Sequence, residues 1–276
     1  SVEAEIRELP GYRGSRPVRV GNAAALQLQL DVCGPIMDLV ALLAESGAAL
    51  STEHWRLTVA IVSAVGQRWH EPDHGIWEIR RPRQHHVHSK IMCWVAVDRA
   101  LRIAQAFTAQ QPAEWISLRE KIANDVLELG WNRTVGAFTA AYDDTALDAA
   151  ALQVGLSGMI PGNDPRFVGT VEAVERTLRR GPTVYRYLYD DGLPGREGGF
   201  HLCTSWLIEA LVLVGRVDDA RDLLEQFAAL FGSTGLAPEE YCPRTRQSLG
   251  NHPQAYSHIG LINAALAVAL KPSDAQ

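Results

Sequence analysis

The feature that most constrains this chain is a succession of Ala- and Leu-rich segments with helical periodicity, separated by loops of very unequal length. Apolar residues recur at three- and four-residue intervals over 21–47, 52–69, 87–108, 112–129, 146–157, 165–179, 199–215, 217–231 and 253–270. Few windows alternate apolar and polar at period two, so strands should be minor. Ser51 or Thr52 suits an N-cap, with Glu53 in the first turn behind it. Gly215-Arg216-Val217-Asp218 makes a tight joint between two helices. Helix pairs spaced by roughly 40–50 residues suggest a toroid of helical hairpins. No stretch resembles a linker, so residues 1–276 are read as one all-α domain. With 47% hydrophobic residues it has ample material for a core.

Four connections are long: 70–86, 131–145, 181–198 and 232–252. Long loops inside a compact helical domain are functional or disordered. Here they concentrate acids, Trp, Tyr, Arg and Gly, which fits one rim carrying the chemistry. The formal net charge of −6 leaves no electrostatic footprint for nucleic acid and no polybasic membrane surface. Arg80, Arg81 and Arg83 read as a solvated loop. No run approaches the ~18 apolar residues of a membrane helix. The N-terminus carries acids and no apolar stretch, unlike a signal peptide. Cys33, Cys93, Cys203 and Cys242, with no CxxC, fit a reduced, cytoplasmic chain. The tail 271–276 should fray.

Two of those loops carry a carboxylate beside an aromatic residue: Gly75-Ile76-Trp77-Glu78 and Pro238-Glu239-Glu240-Tyr241. Two carboxylates across an aromatic-walled pocket are what cleavage of a glycosidic bond needs. Glu78 follows a Pro/Gly-rich loop, and a packed Trp77 would favour the protonated form that a general acid uses. The plainer alternative is a surface glutamate paired with Arg80. Glu239 and Glu240 cannot both point the same way in an extended loop. His85, His86 and His88 invite a zinc reading, but no acid or cysteine stands at good spacing to complete it. His88, Ser89 and Lys90 instead read as a polar helix start lining the pocket floor. Arg186, between Tyr185 and Tyr187, offers planar donors to sugar hydroxyls or a carboxylate, or forms a structural ion pair.

Together these segments resemble glycoside hydrolase family 15, the glucoamylase and bacterial trehalase-like group. The matching runs are 11–24, 27–32, Gly75-Ile76-Trp77-Glu78, His88-Ser89-Lys90, Gly130-Trp131-Asn132, Gly136-Ala137-Phe138-Thr139, Asp190-Asp191-Gly192-Leu193-Pro194-Gly195 and 250–258. The resemblance implies an (α/α)6 toroid with its active site on inter-helix loops. It implies inverting hydrolysis of α-glucosidic bonds in trehalose or α-glucan ends. Glu78 would be the general acid and Glu239 the general base, with Glu240 as the alternative register. Trp77, Phe200 and Arg186 would contact sugar, joined by His88, Lys90 and Tyr241. Inversion requires carboxyls ~6.5–9.5 Å apart. No cofactor is required for the chemistry; a dependence on phosphate or magnesium enters through the resemblance alone.

The sequence also departs from the family pattern. Cys33, Pro35 and Cys242 stand where a tyrosine, an acid and an aspartate are usual. The first barrel helices, with an Arg-Asp pair that grips the terminal glucose, and the N-terminal β-sandwich are not found. The chain is therefore expected to form an incomplete ring. Its exposed apolar faces would favour a homo-oligomer or a preceding segment as partner. A catalytically inactive remnant, or a carbohydrate-binding helical scaffold, is the alternative function.

Overall fold

The computed structural model describes residues 3–192 and 197–270. Nine α-helices lie among them: α1 (Cys33–Glu45), α2 (Thr52–Arg68), α3 (Val87–Thr108), α4 (Ala113–Leu129), α5 (Gln153–Leu156), α6 (Pro165–Leu178), α7 (His201–Leu213), α8 (Val217–Ala228) and α9 (Ala255–Leu270). Leu193–Arg196 of the charged loop and the 271–276 tail lie outside the described residues.

The distribution of apolar residues decides which helix lies where. α3 is enclosed on every face from Val87 to Asp98, and α7 buries most of its length. Helices buried all round belong inside. α2, α4 and α8 bury one stripe each: Thr58, Val62 and Val65; Ile122 and Val126; Ala220, Leu223 and Phe227. These form an outer layer. α1 packs on α3, α3 on α5, α5 on α7 and α7 on α9, with α2 and α4 behind α3, and α6 and α8 behind α7. The result is a two-layered arc of helical hairpins. Close approach of α1 to α3 depends on Gly34, where a Cβ would sit 2.8 Å from Met92 Sδ and 2.9 Å from its carbonyl oxygen. At the two ends of this packing order, α1 exposes Ile36, Leu39, Leu42 and Leu43, and α9 exposes Ile259, Ile262, Leu266 and Leu270.

Caps follow the local chemistry. Ser51 Oγ accepts from the His54 amide, and His54 Nδ1 accepts from the Ser51 amide at 3.0 Å. Asp164 accepts from the Arg166 amide ahead of Pro165. Strands are confined to short antiparallel pairs in the loops. They are β1 (Ala4–Glu5) with β2 (Arg19–Val20), β3 (Trp131–Asn132) with β4 (Ala137–Phe138), and β5 (Arg179–Arg180) with β6 (Thr183–Val184). β7 (Gly199–Phe200) pairs with β8 (Glu240–Cys242), which pairs with β9 (Gln247–Leu249).

Two expected helices are shorter than the sequence suggests. Residues 21–47 do not form one helix. A 3-10 turn at Ala23–Leu26 is followed by irregular chain, and α1 starts only at Cys33. Tertiary bonds outcompete the Ala/Leu propensity there. Leu30 N donates to Asp73 Oδ2 at 3.0 Å, and His74 N donates to Leu28 O at 3.0 Å. Residues 146–157 likewise resolve into a 3-10 turn, Ala149–Leu152, and the single turn of α5.

Candidate active site

Three loops meet at one end of the inner helices: the α2–α3 loop, the segment between α6 and α7, and the segment between α8 and α9. Trp77 joins the first two, and the third joins them where Glu240 pairs with Phe200. The Trp77 ring packs against Phe200 (5.4 Å), Trp206 (6.1 Å) and Tyr187 (6.4 Å). The Arg186 guanidinium lies 5.0 Å from the Trp77 and Tyr187 ring centroids and 5.1 Å from that of Phe200. A cation held over ring faces in this way is favourable and orientationally fixed. Arg186 also forms an ion pair with Glu197 through Nε and Nη2. Of the two alternatives for this arginine, the ion pair is the one present, formed with Glu197.

Asp148 anchors this wall, and nothing local in the sequence pointed to it. It is buried, and both its oxygens accept from Trp77 Nε1, at 3.1 and 2.9 Å. Tyr189 Oη adds a bond at 3.3 Å and the Ala150 amide one at 2.8 Å. Burial pushes its carboxyl up to about 6 against those donors. Tyr189 stacks on Tyr187 at 4.2 Å, and Tyr187 Oη donates to Asp191 at 2.9 Å.

Glu78 adjoins the wall on a left-handed residue, with φ 55°. Its Oε2 accepts from Asn22 Nδ2 at 3.1 Å. Arg80 does not pair with Glu78; it bonds Glu3 at 2.8 Å.

The second acidic segment is fixed from both sides. Phe200 is in register with Glu240, and Gly199 with Tyr241. Gly199 is needed there because a Cβ would lie 2.1 Å from Thr183 Oγ1. Glu239 Oε2 accepts from the Asn251 amide at 2.9 Å and from Asn251 Nδ2 at 3.2 Å, and Oε1 accepts from Gln254 Nε2 at 3.3 Å. The His201 amide holds the Glu239 carbonyl at 3.0 Å. Glu240 turns the other way and accepts from the Gly198 amide at 2.8 Å. Burial raises its carboxyl above the usual range. A cavity of ≈ 940 Å³ opens here, lined by Tyr187, Tyr189, Asp191, Glu197, Glu240 and Gly250. Glu240 lines it, while Glu239 packs behind Gly250.

The remaining expected contacts are placed differently. Lys90 is fully buried, and its ammonium donates to the carbonyls of Trp69 and Glu71 at the end of α2. An enclosed side chain committed to backbone cannot touch substrate, so Lys90 is a structural residue. His88 is buried with no partner for Nδ1 among the described residues, and burial drives its imidazole down to about 3. Tyr241 contributes backbone pairing to Gly199 and Ser248. His85 stacks on Tyr142 at 5.7 Å. Among the described residues no group of three His, Cys, Asp or Glu is arranged to hold a metal ion. Among the described residues no helix is long and apolar enough to cross a membrane.

The sequence model for glycosyl hydrolases family 15 matches residues 1–266. The chain belongs to that family. It is 41% identical over 271 residues to a trehalase of Mycolicibacterium smegmatis, covering 97% of this chain and 40% of that protein. It is 38% identical over 266 residues to a trehalase of Thermoplasma volcanium, covering 96% and 43%. The chain thus spans less than half the length of these family 15 relatives. Among solved structures, a wild-type glycosidase superposes with a TM-score of 0.75 at 22% identity, covering 96% of this chain and 75% of that one. A bacterial glucoamylase complexed with acarbose gives 0.68 at 14% identity, covering 88% and 41%. These likenesses establish the fold as the all-α toroid of the glucoamylase kind.

Proposed function

We propose that this family 15 chain carries the acid–base pair of an inverting α-glucoside hydrolase that acts on trehalose. The observation that carries the reading is convergence. Trp77, next to Glu78, packs on Phe200, which pairs with Glu240, next to Glu239. Two loops about 160 residues apart in sequence thereby converge on one aromatic wall, one carrying Glu78 and the other the Glu239–Glu240 pair. Identity to trehalases supports trehalose as the substrate.

Glu78, protonated, gives its proton to the glycosidic oxygen as the bond from that oxygen to the anomeric carbon breaks. A water oxygen bonds to the anomeric carbon from the opposite face, and Glu239 accepts the proton that water loses. Both Glu239 oxygens already accept from donors, as a base that stays in place needs. Arg186, Trp77 and Phe200 would orient the sugar, with Tyr187 and Tyr189 walling the cavity. Each of these steps is assigned to side chains of this chain.

Time-resolved proton NMR with trehalose tests this. Inversion releases one β-glucose for each α-glucose before mutarotation. Release of α-glucose alone would establish retention and overturn the mechanism. Sugar binding without any release would favour a carbohydrate-binding scaffold.

A further inference from the structure

The loop bearing Glu78 is gripped by the 22–30 segment at more points than holding a loop in place requires. Asn22 is the N-cap of the 3-10 turn: its Oδ1 accepts from the Ala24 amide at 2.8 Å. That bond fixes which way the amide faces, because Oδ1 is already in use. Nδ2 must then be the atom turned to Glu78, where it donates to Oε2 at 3.1 Å. Gln27 Nε2 donates to the carbonyls of Ile79 (3.1 Å) and Glu78 (3.3 Å), holding the backbone that leaves the left-handed residue. Glu3 closes the grip, with Oε2 accepting from the Ala23 amide at 3.2 Å and from Arg80 at 2.8 Å.

We infer that Asn22 is a positioning residue that selects which oxygen of Glu78 carries the transferred proton, with Gln27 holding the backbone beneath it. An amide N–H can only donate, so the oxygen it meets must be an acceptor. The carbonyl oxygen of a carboxylic acid is a stronger acceptor than its hydroxyl oxygen, so this bond favours the form with the proton on Oε1 and Oε2 carbonyl-like. After transfer, the same N–H stabilises the carboxylate that forms. The inference rests on Glu78 being the general acid.

Leaving-group dependence tests it. Trehalose needs a proton on its departing oxygen, whereas α-glucosyl fluoride expels fluoride with little help. Asn22→Asp keeps the oxygen that caps Ala24 but turns an acceptor toward Glu78, so it draws the proton away from the substrate. It should melt with the parent chain and lose about ten- to a hundredfold of trehalose turnover, within the range positioned proton transfer supplies. On the fluoride it should lose less than about threefold, and the alkaline limb of its trehalose profile should move to higher pH. Asn22→Ser, also a good cap, removes the donor without adding charge and should show the same selectivity more weakly. Glu78→Gln, run alongside, tests the underlying assignment. If it shows the selective loss and both Asn22 variants do not, the positioning role is overturned while the acid stands. If Glu78→Gln shows no selectivity, or the parent chain turns over neither substrate, the acid assignment falls and the inference with it.

Discussion

Replacing Gly250 by alanine should displace the candidate base. Gly250 has φ 69°, and an added Cβ would lie 2.5 Å from Glu239 Oε2 and 2.8 Å from Glu239 Cβ. Ordinary contact begins near 3.4 Å, so the carboxylate must retreat by about an ångström. Its bonds to Asn251 and Gln254 cannot all survive that movement. The backbone adds a cost of about 1–2 kcal/mol for an L-residue in the left-handed region. At this chain length that corresponds to a fall of about 2–8 °C in Tm. Misplacing a reacting group by an ångström costs about a hundredfold in rate. Gly136→Ala separates the two effects: φ is again 69°, with nothing within 4 Å of the added Cβ. Both variants should melt earlier in a thermal scan, Gly250→Ala by more because the clash adds to the backbone cost, but only Gly250→Ala should lose trehalose turnover. Equal turnover in the two would refute the placement of the base at Glu239.

Glu239→Gln should abolish most turnover with an unchanged melting curve, whereas retained turnover would move the base to Glu240. His201→Leu should flatten the acid side of the stability curve. His201 is fully buried between Phe227 and Phe231, with both ring nitrogens unpartnered among the described residues, and burial holds it at about 4. Its folded value lies below the ordinary 6.5, so its contribution is fully present above 6.5 and is lost as pH falls toward 4. The loss is bounded near 3 kcal/mol, at about 1.4 kcal/mol per pH unit. Urea titrations of parent and variant at pH 7 and pH 5 would show it, and parallel losses would refute it. Cys242 should alkylate before the other thiols. The Thr245 side chain and neighbouring amides pull its thiol down, whereas burial pushes Cys93 and Cys203 up. Mass spectrometry after brief iodoacetamide treatment would find the first adduct elsewhere if this is wrong.

Sequence periodicity located the described helices to within a few residues at most ends, because burial is written into the apolar residues of each segment. It failed at residues 21–32, where Ala and Leu propensity suggested helix. The deciding bonds come from Asp73 and His74, more than forty positions away. The two acidic loops stood out because Trp77, Glu78 and Glu239 stand in dense local motifs, and the fold brings those loops together at Phe200. Asp148 did not stand out, since a lone aspartate before Ala-Ala-Ala-Leu gives no hint that Trp77, 71 residues earlier, donates to it. Lys90 was misplaced for the converse reason. A lysine at a helix start suggests an accessible charge, and only the packed structure reveals the Trp69 and Glu71 carbonyls that enclose it.

The left-handed backbone at Glu78 bears on how the chain would respond to selection. A glutamate at φ 55° occupies a conformation that glycine adopts without steric cost. A screen for thermal tolerance alone should therefore enrich Glu78→Gly. Such variants would emerge as improved folders that have surrendered the proposed proton donor, so stability and turnover would pull this one position in opposite directions.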